Sequence, residues 1–185
     1  MKAIIKTSIV IILFTCISCG NKKEKIEVVS VDTNAKEKTE KSSDEGELAL
    51  NVSFSDARYN DAYKHYIAMK NALVASDAEN AAKYSDKLGT AFANLGVEPS
   101  LIQSNAVITG SKDIEEQRKA FSDVSNEITA LLSSAHIASG AIYKQYCPMA
   151  FDFKGAYWLS TEKEIRNPYF GDAMLKCGET KEEIN

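Results

Sequence analysis

AYKHYIAMKNALVASDAENAAKYSDKLGTAFANLG, residues 62–96, holds two helical stripes separated by one break, and that break decides the fold. Together with Tyr59 just upstream, Tyr63, Tyr66, Ile67, Leu73 and Val74 recur at spacings of three and four, which places them on one face of a helix. At Ser76-Asp77-Ala78-Glu79 the stripe stops in a capping-box pattern, in which the Ser76 and Glu79 side chains can satisfy the free backbone donors of a new helix. A second helix is therefore predicted from near Asp77. Its core face carries Ala78, Ala81, Leu88, Ala91, Phe92 and Leu95, and Gly96 followed by Pro99 supplies the stop.

Downstream of this hairpin, Pro99 to Gly110 reads as a connection with one helical turn. Ser111 or Asp113 then caps the longest helix, whose seam of Ile114, Phe121, Val124, Ile128, Leu131, Ala135 and Ala138 alternates threes and fours until Gly140. Three helices joined by short loops predict an all-α domain over residues 56–185, an antiparallel bundle of three main helices. The C-terminal part differs in kind. Ala141 to Ala150 alternates as an extended segment, Gly155 to Ser160 is aromatic and tight, and Thr161 to Glu164 starts a short helix that Asn167-Pro168 ends. The bundle is thus expected to carry a loop-rich lobe rich in aromatics.

Upstream of the bundle the chain reads as an export signal. Lys2 and Lys6 precede an apolar stretch from Ser8 to Ile17, long enough for a signal-peptide core and too short to span a bilayer. Ser18 before Cys19 suits lipoprotein cleavage, so residues 1–18 are expected to be removed and Cys19 to carry lipid. The position three before Cys19, usually Leu, is Cys16; choosing Cys16 instead would bring Leu13 into that place but set Phe14 and Thr15 beside the cut. From Gly20 to Glu45 lysines alternate with acids and no aromatic occurs, so residues 19–55 read as a disordered tether. A lipid-anchored protein of the periplasm follows, and Gly20-Asn21-Lys22-Lys23 after the cysteine points to the outer membrane.

A net charge of −4, with lysine and acid well mixed, argues against nucleic-acid binding. Once Cys16 and Cys19 are assigned to export, Cys147 and Cys177 are the thiols left to explain. Each has a methionine beside it, in Cys147-Pro148-Met149 and Met174-Leu175-Lys176-Cys177. Thiolate and thioether are soft donors that favour monovalent copper, which makes Cys147, Met149, Met174 and Cys177 a candidate metal site. An oxidising compartment offers the alternative of a Cys147–Cys177 disulfide, worth roughly 3 to 4 kcal/mol by chain entropy. His65, four residues before Met69 on the first helix, reads as a polar surface group, and His136 as a group serving a helix C-terminus. Trp158, Tyr143, Tyr146, Tyr157 and Tyr169 could line a ligand pocket or form the core of the lobe. No Gly-x-Ser-x-Gly elbow, Gly-rich phosphate loop, Cys-x-x-Cys pair or His-Glu-x-x-His motif occurs, so no enzyme is expected and no catalytic residue is assigned.

Four runs together carry a resemblance: Tyr146-Cys147-Pro148-Met149-Ala150; Lys154-Gly155-Ala156-Tyr157-Trp158-Leu159-Ser160; Ile165-Arg166-Asn167-Pro168-Tyr169-Phe170-Gly171; and Met174-Leu175-Lys176-Cys177-Gly178. With Tyr63, Tyr66, Ala72 to Asp77, Gln117, Arg118 and Phe121, they resemble the bacterial domain-of-unknown-function family 3347. The resemblance implies an envelope location, since members occur as small lipoproteins and appended to periplasmic adaptor subunits of heavy-metal efflux systems. By association it implies metal handling, with efflux components as partners and copper as the ion. The expected function is a non-enzymatic, lipid-tethered binding domain for soft metal ions. The alternative is a structural or protein-interaction module closed by the Cys147–Cys177 disulfide.

Overall fold

The start of each of the four long helices is written in a side chain that can accept a backbone hydrogen bond, or in a proline. In the computed structural model, which describes residues 50–185, Asp56 caps α1 (Ala57–Val74) and Asp77 caps α2 (Ala78–Leu95), each accepting from an amide of the first turn. Pro99 opens α3 (Pro99–Gly110) at a position where its missing N–H costs nothing. Asp113 caps α4 (Ile114–Ser133), so of the two starts expected there it is Asp113 that serves. The signal peptide, Cys16, Cys19 and the tether up to residue 49 lie outside the described residues. Among the described residues no helix is long and apolar enough to cross a membrane.

The connections 75–77, 96–98 and 111–113 are each three residues long, so consecutive helices fold back on one another, and α1 packs on α2, α2 on α3 and α3 on α4. At the first connection Ser76 takes a positive φ of 56° and does not cap α2; its hydroxyl accepts instead from Arg118. Between Pro99 and Gly110 stands a helix of 12 residues where a connection with one turn was expected. Its buried residues are Leu101, Asn105 and Ile108, and the polar Asn105 in the middle hides the apolar stripe. Asn105 donates to the Ser85 carbonyl at 2.8 Å, and the Ser85 hydroxyl donates to the Asn105 carbonyl at 2.8 Å.

The all-α expectation is overturned: the helices are joined by two antiparallel sheets, giving a mixed α/β fold with a helical core. The longest helix ends at Ser133, short of Gly140. Ser133 and Ser134 turn their hydroxyls onto the Thr129 and Leu131 carbonyls, a competition that frays a last turn. Ala135 and Ala138 therefore leave the helical seam. Ile137–Ser139 (β2) pairs with Ser53–Phe54 (β1), and Val52 and Phe54 are buried, so the folded part already includes residues assigned by sequence to the tether.

The second sheet has the order β4-β3-β5, with β3 at Ile142–Cys147, β4 at Ala156–Ser160 and β5 at Glu179–Ile184. The segment read as extended holds β3 and the aromatic, tight stretch Gly155 to Ser160 holds β4, whereas Thr161 to Glu164 forms bends and no helix. Between β3 and β4 lies the single turn α5 (Ala150–Phe153), in which Phe151, Asp152 and Phe153 all have positive φ. The sheet meets the helices through aromatic rings. Tyr66 stacks on Phe121 at 5.3 Å, Phe121 lies 5.8 Å from Tyr169, and Tyr169 meets Trp158 edge-on at 5.9 Å. The Tyr66 hydroxyl also accepts from the Leu159 amide of β4 at 3.0 Å.

Candidate functional site

The C-terminal lobe brings its two thiols into contact. Cys147 closes β3 opposite Ala156 and is fully buried; Cys177 is half-buried in the loop that leads into β5. Their sulfur atoms stand 3.4 Å apart as two free thiols, without a covalent bond between them. Contact with the Cys147 thiol, and secondarily burial, push the Cys177 thiol above its ordinary pKa. At neutral pH Cys177 is therefore mostly protonated, and a metal ion would have to displace its proton to bind.

Backbone chemistry sets the position of Cys177. Gly171–Met174 forms a single 3-10 turn, and the Cys177 amide donates back to the Met174 carbonyl at 3.0 Å. Gly178 follows with φ +145°, and a Cβ there would meet both Trp158 and the Tyr146 carbonyl at 2.9 Å, so the chain passes the sheet closely only because this residue has no side chain. Gly171, at φ +54°, leaves room for Ser76 and Arg118, which a Cβ would approach to 2.7 and 2.8 Å.

The methionines stand elsewhere in the lobe. Met149 and Met174 share the lining of a groove of about 420 Å³ with Glu115, Phe151, Phe153, Tyr169 and Phe170, and neither cysteine lines it. Sulfur is thus divided between a thiol contact and a thioether groove. Phe153 at the groove's edge is 77% exposed, an unusual position for a phenyl ring. Among the described residues no group of three or more His, Cys, Asp or Glu is placed to hold a metal ion.

The aromatics also separate. Trp158 and Tyr169 are buried in the core, whereas Tyr143 and Tyr146 are half-buried, with Lys163 over the first ring and Lys181 over the second. Tyr146 packs against Tyr157 at 4.5 Å, and Tyr169 donates its hydroxyl proton to the Tyr157 carbonyl. Of Tyr143, Tyr146, Trp158 and Tyr169, Tyr169 is the one that reaches the thioether groove. On α1, Met69 is fully buried while His65 is half-buried, and His136 is exposed beyond the end of α4.

Several residues that sequence reasoning passed over shape the lobe. Gln145 is fully buried, and its amide nitrogen lies 2.9 Å from the Glu162 carbonyl and 3.3 Å from that of Lys163, pinning the bends after β4. Asn167, read only as a helix stop, is buried beside Pro168. Lys70 is 2% exposed, and burial holds its ammonium pKa down to about 8, with Arg166 adding repulsion and Glu162 opposing it. A lysine on the apolar face of α1 was the available signal for that group.

Residues 62–140 match a family model described as protein of unknown function (DUF3347). The match runs from α1 through β2 and stops before the Cys-Pro-Met segment, so the motifs quoted over residues 146–178 lie beyond it. No curated protein and no solved structure matches the chain.

Proposed function

For this chain, whose residues 62–140 match the DUF3347 family model, we propose a non-enzymatic, lipid-anchored domain of the cell envelope that binds a soft metal ion at Cys147 and Cys177. The observation that carries this reading is the 3.4 Å approach of one buried and one half-buried thiol. Two thiolates suit a low-coordinate, soft, monovalent ion such as copper, whereas zinc sites take three or four protein ligands. The ion would have to release both thiol protons, so affinity rises with pH. Met149 and Met174, two and three residues along the chain from the thiols, are available as further soft donors on the groove. The lipid at Cys19 would hold the domain near heavy-metal efflux components, the partners in this reading.

Titration of the mature chain with monovalent copper under reducing conditions tests the proposal. Tight one-to-one binding that disappears when Cys147 and Cys177 are both changed to Ser is expected. Absence of tight binding by the unmodified chain sinks it.

The same thiol contact favours one other reading, a structural or interaction module in which the pair closes into a disulfide. Counting free thiols in protein taken directly from the envelope separates the two. No free thiol at Cys147 and Cys177 favours the disulfide module, and two favour the metal site.

A further inference from the structure

Thirty residues separate Cys147 from Cys177, and the loop that returns the second thiol to the first has no long regular element. Pairing of β5 with β3, in which Glu179 sits opposite Tyr146, brings the chain near Cys177 to the end of β3, and the loop before it needs an anchor of its own. One side chain inside that loop uses both its polar groups and its backbone for this purpose. Asn167 is fully buried, and its Nδ2 donates to the Cys177 carbonyl at 2.8 Å. Its Oδ1 accepts from the Tyr169 amide at 2.8 Å. Its own amide donates to the Leu175 carbonyl at 2.8 Å, and its carbonyl accepts from the Gly171 amide at 3.1 Å.

These four bonds run from one residue to four positions of the segment 169–177. The Asn167 side chain thereby closes a ring across the 3-10 turn, with the peptide that carries Cys177 at the far end. Behind it, Arg118 donates to the Pro168 carbonyl at 3.0 Å, which ties the ring to α4. The clamp therefore has a fixed base on the helices and a fixed grip on the cysteine. The donor to the Cys177 carbonyl must be an N–H or O–H at that reach, while the Tyr169 amide needs an acceptor; a primary amide supplies both from one planar group.

We propose that Asn167 is the positioning residue of the thiol pair, holding Cys177 against Cys147 so that the two sulfurs act as one site. This rests on the reading that the pair is the functional site, but its test needs no metal. In glutathione buffers the pair exchanges with oxidised glutathione: the two thiols lose two electrons and two protons as one S–S bond forms, and one oxidised glutathione becomes two reduced molecules. The equilibrium constant measures the effective concentration of one thiol at the other, and so reports positioning directly.

The experiment compares the unmodified mature chain with Asn167→Asp and Asn167→Ser. Asp keeps the acceptor for Tyr169 and removes the donor to Cys177; Ser ends one bond short of both partners and removes both bonds. An effective concentration about tenfold lower in Asn167→Asp is expected, the value of one buried hydrogen bond. Asn167→Ser, whose hydroxyl falls short of both partners, should lose at least as much. An unchanged effective concentration alongside a lowered melting temperature would make Asn167 a general structural residue and overturn the proposal. If neither variant folds, amide hydrogen exchange of the unmodified chain decides: protection of the Tyr169 and Gly171 amides equal to that of α1 supports a rigid clamp, and rapid exchange there overturns it. Copper titration of the unmodified chain is read separately, so a failure to bind metal leaves the positioning result standing.

Discussion

Arg118 on α4 donates its Nε–H to the carbonyl of Pro168 at 3.0 Å, a bond across 50 residues that joins the helices to the C-terminal lobe. The same guanidinium reaches the Leu73 carbonyl at 3.2 Å, the Ser76 hydroxyl at 2.9 Å and the exposed Glu115 carboxylate at 2.6 Å. A planar fork of five donors can serve the end of α1, its own helix and the lobe at once, which an ammonium cannot. Arg118→Lys should therefore destabilise by about 1 to 3 kcal/mol, because the buried Pro168 and Leu73 carbonyls cannot both keep a partner. Urea unfolding followed by circular dichroism measures it, and a loss below about 0.5 kcal/mol would contradict this account.

The two buried tyrosines of α1 should respond oppositely to loss of the hydroxyl. Tyr66 bonds to Ser125 at 2.8 Å and accepts from the Leu159 amide, so Tyr66→Phe orphans a buried N–H and should cost about 1 to 3 kcal/mol. Tyr63 lies one helical turn earlier with its hydroxyl buried and without a hydrogen-bond partner among the described residues, so Tyr63→Phe should be neutral or stabilising. Thermal melts of the two variants provide the comparison.

Lys70 makes stability depend on pH in a calculable direction. Its folded pKa, about 8, lies below the ordinary value of 10.5, so the unfolded chain holds more protons between those limits. Stability should rise as pH climbs through that window, while the cost of burying the charge is fully present below it. Lys70→Met should raise stability at neutral pH by about 1 to 3 kcal/mol and flatten the slope between pH 8 and 10.5. Unfolding curves across that range, compared with the unmodified chain, check both statements. Cys177, whose thiol is raised, contributes the opposite trend, losing stability as pH rises through the thiol range.

Phe151, Asp152 and Phe153 form three consecutive left-handed residues, none of them glycine. Each such residue costs roughly 1 kcal/mol relative to glycine at that backbone geometry. Asp152 is exposed, so Asp152→Gly removes the strain without opening the core and should stabilise by about 0.5 to 1 kcal/mol. A fall in melting temperature would show that the Asp152 side chain contributes more than its backbone costs.

The four residues Tyr63, Tyr66, Ile67 and Leu73 identify α1 from spacing alone, because a helix that buries one face must repeat its apolar residues near 3.6. Asp113 and Gly96 mark ends for the same local reason. α3 was obscured where Asn105 occupies a core position by bonding to Ser85, a partner 20 residues away that no local window contains. β5 was equally hidden: Glu179-Thr180-Lys181-Glu182-Glu183 has the composition of a solvated segment, and pairing with β3 makes it a strand. Cys147 and Cys177 were legible as a pair to be explained. Their separation from the thioethers of Met149 and Met174 was not, because it depends on how the segments around β3 and the 3-10 turn pack together.

The sequence by itself determined the existence and starts of the helices, since caps and apolar periodicity act within a few residues and need no distant partner. It also determined that two cysteines of the folded part call for one account. Tertiary structure decided that the fold is mixed, that α4 stops at Ser133, and that the Cys147 and Cys177 sulfurs meet at 3.4 Å. Strand pairing and the thiol contact are made between segments far apart in the chain. Around the thiols, Asn167 and Arg118 anchor the loop with hydrogen bonds to backbone carbonyls, acceptors that every residue carries and that leave no mark in the amino-acid pattern.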